Sequence, residues 1–386
     1  MKIAIITNVF HPYERGGAEK VVKHLVNELK KDNQVVLITT KPKGLALELE
    51  EAQNIKKYSF FPLNIYYYLN DFKHNAIIRL IWHFFDQFNL HSFFVARKIL
   101  KKEKPDLVIT HSLMGIGFLI PKAIKKYKWI HTLHDAQLAV PSGLIIKDNE
   151  KDFFVSGFLT KCYARINKCL FGSLQKVVSP SQWLLDFHEE KGFFKNCEKR
   201  VLPNPASFEI KSNPKQEFEK PIKILFLGQI QEHKGIIFLA KALKKLDRQF
   251  KLIIAGAGTK EIELKSIIHD DNRFRFLGKV DSNQIKNLLD FCDYLIVPSL
   301  CYENSPTVIY EAFSQGVPVI AADIGGVAEL VKQGQTGFIF DSANTQQMLE
   351  AINRAEAVEN YAQISQNCID LIKEYTPENY LKNLLG

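Results

Sequence analysis

The chain of 386 residues carries six cysteines, Cys162, Cys169, Cys197, Cys292, Cys301 and Cys368, and none of them forms a C-x-x-C pair. Without dense or paired spacing they offer neither a zinc site nor a disulfide framework, so a reduced compartment is expected. No apolar run approaches the roughly 18–20 residues needed to cross a bilayer. The opening MKIAIITNVF reads into HPYERGG rather than a small-residue cleavage site. The expected location is therefore cytoplasmic. Neither a helix-turn-helix signature nor an interleaved aromatic–basic module is present, so nucleic acid is not an expected partner.

Hydrophobic residues make up 46% and charged residues 24% of the chain, the balance of an ordinary globular protein, and the length suits two domains. The charge is uneven. Residues 1–210 hold 31 Lys and Arg against 20 Asp and Glu, and so carry the whole net excess of +9. A basic half of this kind fits an anionic partner such as the inner face of a membrane, unless it reflects a lysine-rich background.

Lys2–Val9 is a β-branched run without alternation, as expected of a strand buried on both faces. Gly16-Gly17 then precede a segment with Val21, Val22, Leu25, Val26 and Leu29 at helical spacing, and Gln34–Thr40 reads as a second buried strand. Strand, glycine turn, helix and strand make a βαβ unit, although not the G-x-G-x-x-G dinucleotide fingerprint. Glycines at such a turn let a ligand approach backbone N–H groups. Further strands are read at Asp106–His111, Trp129–Leu133 and Lys176–Ser181, with His111 and His134 at the carboxyl ends, where α/β sheets hold their ligands. Between them, Ile77, Ile78, Ile81, Phe84, Phe85 and Phe88 form an aromatic-rich helical stripe. It is read first as core; a membrane interface or a lipid-like acceptor groove is the alternative.

Residues 205–221, with repeated prolines and no apolar periodicity, read as a linker between a first domain, 1–204, and a second, 222–386. The last helix of the chain is allowed to pack back on the first domain. In the second domain strands and helices alternate again, giving an α/β fold of two doubly wound, Rossmann-like domains facing across a cleft. Its most informative stretch is ENSPTVIYEAFSQG, from Glu303 to Gly316. A loop of Asn304, Ser305, Pro306 and Thr307 opens a helix, and a helix start suits phosphate or sugar hydroxyls. Glu311, about a turn inside, is able to accept the two hydroxyls of a ribose. Two glutamates at this spacing are otherwise an ordinary solvated helix surface.

Glu303 and Glu311 with the following GVPVIAADIGGVAELV, the early Gly16-Gly17-Ala18-Glu19, and Gly228 with Lys234-Gly235 together resemble the family 4 glycosyltransferases. The resemblance covers essentially the whole chain. It implies the two-domain GT-B architecture and a retaining, metal-independent hexosyltransferase using a nucleotide-diphosphate sugar. The implied acceptor is a saccharide or lipid-linked saccharide of cell-surface polysaccharide or glycoconjugate synthesis. Carried over by position, Glu303 holds the donor sugar's hydroxyls, Asn304 to Thr307 present N–H groups, and Glu311 grips the ribose. Lys234 neutralises the leaving diphosphate, Gly16 and Gly17 close over it, and Gly278 and Val280 line the base. His134 lies near the reacting sugar, so His134, Lys234 and Glu303 are the expected catalytic residues.

One departure stands out. The family commonly places an arginine where this chain has Gln229. A glutamine amide lacks the bidentate, charge-assisted contact of a guanidinium, so either Lys234 and helix N-termini suffice, or Arg15 or His233 compensates, or turnover is slow. No Asp-x-Asp triplet occurs, so no metal site and no cofactor are expected. Glycosyl transfer builds negative charge on the leaving phosphate, and cations aimed there lower the barrier. Alternative readings are a sugar-nucleotide epimerase of the same architecture and a non-catalytic sugar-nucleotide-binding protein.

Overall fold

The computed structural model describes all residues except Glu14, Arg15, Leu45, Ser173 and Ser207, and except the side chains of residues 72, 73 and 76. Two compact units result: Met1–Leu144, Lys151–Pro203 and Pro377–Gly386 form one, and Ile145–Glu150 with Asn204–Thr376 the other.

The first unit holds strands β1 (Lys2–Ile6), β2 (Gln34–Thr40), β3 (Glu48–Ala52), β4 (Ile55–Phe60), β5 (Leu107–Thr110), β6 (Lys128–Thr132), β7 (Lys176–Ser179) and β8 (Glu198–Val201). Its helices are α1 (Gly17–Leu29), α2 (Ala76–Gln87), α3 (Leu90–Glu103), α4 (Ile120–Ile124), α5 (Phe153–Ser156), α6 (Phe158–Phe171) and α7 (Gln182–Glu190). The strand order is β3-β4-β2-β1-β5-β6-β7-β8, with β3 antiparallel to β4 and the other pairs parallel. The order reverses at β1, so β1 and β5 flank a switch point, the place where doubly wound sheets bind ligands. The apolar runs of β1, β2 and β5 are enclosed because helices cover both faces of a parallel sheet.

In the second unit the strands are β9 (Lys223–Leu227), β10 (Lys251–Ala255), β11 (Phe274–Gly278), β12 (Tyr294–Val297), β13 (Val319–Asp323) and β14 (Gly337–Asp341). Its helices are α8 (Ile236–Lys244), α9 (Glu261–Ile268), α10 (Ser282–Phe291), α11 (Thr307–Ser314), α12 (Val327–Leu330), α13 (Thr345–Glu356) and α14 (Tyr361–Lys373). All pairs are parallel in the order β11-β10-β9-β12-β13-β14, which puts the switch point between β9 and β12. The described residues of 205–221 carry no regular secondary structure and are tied to this unit. Lys211 N–H donates to Ser314 O at 2.9 Å, and the Lys215 ammonium donates to Leu289 O and Asp290 O at 2.9 Å each. The final helix, α15 (Pro377–Leu385), belongs to the first unit, where Tyr380 and Leu384 join the core formed by β1, β2 and α1.

One expectation is overturned. The stripe on α2, read first as core, lies outward: Ile77 is 72% and Phe84 63% exposed, and Ile81, Phe85 and Phe88 are exposed as well. The opposite side of the helix is the enclosed one, because Trp82 and Asp86 fill it and are hydrogen-bonded there.

Candidate functional site

The switch point of the second sheet gathers the residues singled out there. The loop after β9 supplies Lys234 and the loop after β12 supplies Glu303. The Lys234 ammonium donates to Glu303 Oε1 at 2.7 Å, and Ser299 Oγ donates to the same oxygen at 2.7 Å. Glu303 Oε2 receives neither. Burial pushes the Glu303 carboxyl upward, but the Lys234 charge and the Lys234 and Ser299 hydrogen bonds outweigh it, so it stays below the usual carboxylate range. Burial pulls Lys234 down while the Glu303 charge raises it, and the net displacement is upward. The pair is therefore ionised at neutral pH: a part-buried cation, its side chain 29% exposed, on a carboxylate whose side chain is only 12% exposed.

Backbone crowding fixes these loops. Gly235 has φ +73°, and a Cβ there would lie 1.8 Å from Pro298 O. Gly325 has φ +68°, and its Cβ would lie 2.1 Å from Glu303 O. Glycine alone suits both, and the Gly326 N–H then donates to Glu303 O at 2.7 Å. On the other side, residues 145–150 run along the loop: Lys147 N–H donates to Leu300 O at 3.0 Å, Tyr302 N–H to Ile145 O at 2.9 Å, and Tyr302 OH to Glu150 at 2.8 Å.

Beyond Glu303, Asn304 and Ser305 lead to Pro306, which is the N-cap of α11, with Thr307 as its first residue. The loop is anchored from below by Tyr310, whose OH lies 2.6 Å from Ser305 Oγ and accepts the Asn204 N–H at 3.1 Å. Asn204 also donates its side-chain amide to Ser305 O at 3.2 Å. Glu311, one residue further, is fully enclosed. Gly278 and Val280 lie at the carboxyl end of β11, two strands from β9 on the same edge, and Gly278 O accepts the Gly256 N–H at 2.7 Å. Gln229 is exposed after β9, and His233, half-buried, passes its carbonyl to Leu300 N–H at 2.9 Å. Arg15 lies outside the described residues.

In the first unit, Gly16 is the N-cap of α1 and donates its N–H to Glu19 Oε2 at 2.9 Å, with Gly17 opening the helix. A Cβ on Gly16 would meet nothing closer than 3.9 Å, so packing within the described residues does not demand glycine there. His134 follows β6 and pairs its Nε2 with His111 Nδ1 at 2.9 Å, after β5. Burial lowers His134 to about 4, leaving it neutral at pH 7. Within each unit the predicted residues thus cluster at the carboxyl edge of the sheet.

Sequence reasoning missed three supports. Ser299 and Asn204 gave only a polar residue at a strand end and an Asn before a proline. Tyr310 is an aromatic on a buried helix, and nothing in the pattern shows that its hydroxyl carries the loop.

The family model described as Glycosyltransferase Family 4 matches residues 15–209, half of the chain, and that described as Glycosyl transferases group 1 matches residues 207–370. The chain belongs to glycosyltransferase family 4. This glycosyltransferase is 24% identical to the GalNAc-alpha-(1->4)-GalNAc-alpha-(1->3)-diNAcBac-PP-undecaprenol alpha-1,4-N-acetyl-D-galactosaminyltransferase of Campylobacter jejuni, over 99% of this chain and 98% of that one. Among solved structures it resembles the sucrose-phosphate synthase of Thermosynechococcus elongatus, with TM-score 0.77 and 17% identity over 99% of this chain and 97% of that one. Anabaena Alr3699/HepE, solved in complex with UDP-glucose, matches with TM-score 0.68 and 17% identity over 100% of this chain and 98% of that one. The fold is GT-B.

Proposed function

We propose that this glycosyltransferase moves a sugar from a nucleotide-diphosphate donor to a saccharide or lipid-linked saccharide acceptor in cell-surface polysaccharide synthesis, with retention of anomeric configuration and without a metal. The observation that carries it is the Lys234–Glu303 pair at the β9/β12 switch point, 2.7 Å apart. A leaving diphosphate needs a cation, and Lys234 is one held part-buried and positioned by Glu303, with enough of its side chain open to meet a phosphate. Glu303 Oε2, which takes neither neighbouring donor, is suited to accept the donor sugar's hydroxyls. When a diphosphate arrives, Lys234 exchanges part of its bond to Glu303 for the phosphate oxygens.

The enclosed Glu311 grips the ribose, Asn304 to Thr307 offer N–H groups, and Gly278 and Val280 line the base. In the first unit, the start of α1 at Gly17 suits an anionic group, and neutral His134 is suited to hydrogen-bond a sugar hydroxyl. Retention follows from attack on the face the diphosphate leaves, with its oxygen taking the acceptor proton. The likeness to a transferase acting on a diphospho-undecaprenol saccharide supports a lipid-linked acceptor, and hence peripheral work at a membrane. The likeness to a protein holding UDP-glucose makes uridine diphosphate sugars the first donors to try.

The test is mass spectrometry of reactions pairing UDP-sugars with lipid-linked saccharides, with chelator added, and the anomeric centre read by NMR. The expected result is an acceptor one sugar heavier, of retained configuration, in chelator. Conversion of donor alone into an altered sugar would establish the epimerase instead.

A further inference from the structure

Helix α2 is amphipathic but faces the wrong way for a core. Its apolar residues, Ile77, Leu80, Ile81, Phe84, Phe85 and Phe88, fall on one side by helical spacing and are all exposed. The other side is locked inward by polar groups. Trp82 Nε1 donates to Tyr66 O at 2.8 Å, Asp86 accepts the Gly115 N–H at 2.9 Å, and Gln87 donates to Asn167 of α6. Rolling the helix to hide the stripe would break all three. The apolar surface is therefore held outward by buried hydrogen bonds, which a merely misplaced helix would not have.

The surroundings specify what meets it. Helix α3 follows directly, and Leu90, Phe94, Arg97 and Lys101 share one of its faces, so an exposed apolar end runs into an exposed cationic one. Helix α4 packs against both α3 and α6. Across α2, α3, α4 and α6 the carboxylates are Asp86 and Glu103, and both are buried. Every charge these helices expose is thus a Lys or an Arg. An apolar stripe bordered by cations, with no exposed anion, matches a bilayer of anionic lipid, whose surface attracts each Lys or Arg and whose acyl boundary takes the side chains. A protein partner could cover the stripe but would not require a border of cations alone.

We propose that α2 lies in the plane of an anionic phospholipid surface, its stripe inserted and the α3 cations on the headgroups. This deepens, and rests on, the peripheral reading of the acceptor given above, but vesicle binding is measured without donor or acceptor, so its failure is separable from a failure of transfer.

The full chain is sedimented with phosphatidylcholine vesicles with and without phosphatidylglycerol. Binding is expected to the anionic vesicles and to fall when salt is raised. F84S/F85S should weaken it by about tenfold or more through lost insertion, and R97E/K101E by about tenfold or more through lost headgroup attraction. Both variants should keep the parent's Tm, and K234A should bind vesicles as the parent does. Binding that neither double variant changes, or no binding to anionic vesicles, would overturn the proposal. So would self-association that F84S/F85S abolishes in a chain that ignores vesicles, since a second copy would then be the occupant.

Discussion

Lys234 and Glu311 carry different consequences when changed. Lys234→Ala removes the cation and leaves Glu303 half-buried without its partner, so it should cost on the order of 10²–10³ in kcat and weaken nucleotide binding. Stopped-assay kinetics with a working donor check this; near-parental kcat/KM would refute the assignment. Glu311→Ala should chiefly raise the donor KM, since the ribose is bound alike in the ground and transition states.

Asp86 offers a test of a different kind. Burial raises its carboxyl from 3.8 to about 8, with the Gly115 N–H a smaller opposing influence. A carboxyl held protonated in the fold contributes fully below its unfolded value, and that contribution is lost as pH rises through about 8. Asp86→Asn keeps the shape and cannot ionise. It should therefore raise Tm at pH 8 by roughly 2–4 °C for each kcal/mol recovered, and do little at pH 4. Equal shifts at both pH values would show that the residue does not titrate as described.

Among the elements, α11 shows how a loop is held for chemistry. Tyr310→Phe deletes one hydroxyl that serves both Asn204 and Ser305, and should cost about 1–2 kcal/mol. Thermal unfolding should report the loss, and the donor KM should rise as Ser305 loosens; an unchanged KM would mean that the loop does not depend on this anchor. Elements were legible wherever burial dictated the pattern: β1, β2 and β5 read directly as apolar runs. Strand β3 did not, because ELEEA is exposed throughout and is held by β4 and by cross-strand pairs such as Lys57–Glu50 at 3.1 Å. The α2 stripe was legible as a helix but misread as core, since spacing shows an apolar face and not what covers it. Site residues on loops were found through the family likeness, whereas Ser299, Asn204 and Tyr310 act through contacts distant in sequence.

Across the whole molecule, the two units should respond differently to acid. In the first, burial lowers His134 and His188 to about 4 and holds His111 and His131 well below 6.5. Groups kept neutral in the fold stabilise it fully above their unfolded value, and that stability is lost as pH falls from 6.5 toward 4. Asp86 acts in the opposite sense, but the histidines outnumber it. Glu303 of the second unit has a lowered carboxyl, so its contribution persists until pH falls below 4.5. Hydrogen exchange between pH 6.5 and 4.5 should show β5 to β7 losing protection before β9 to β12. The reverse order would contradict this account of the buried histidines.

The central claim is that the Lys234–Glu303 pair is where a nucleoside diphosphate binds. Isothermal titration of the parent chain and of Lys234→Ala with UDP, GDP, ADP and TDP tests it most directly. The prediction is that the parent binds one of the four and that Lys234→Ala binds it at least about tenfold more weakly, the worth of about 1.4 kcal/mol. Equal affinity in the two proteins, or no binding of any diphosphate by the parent, would contradict it.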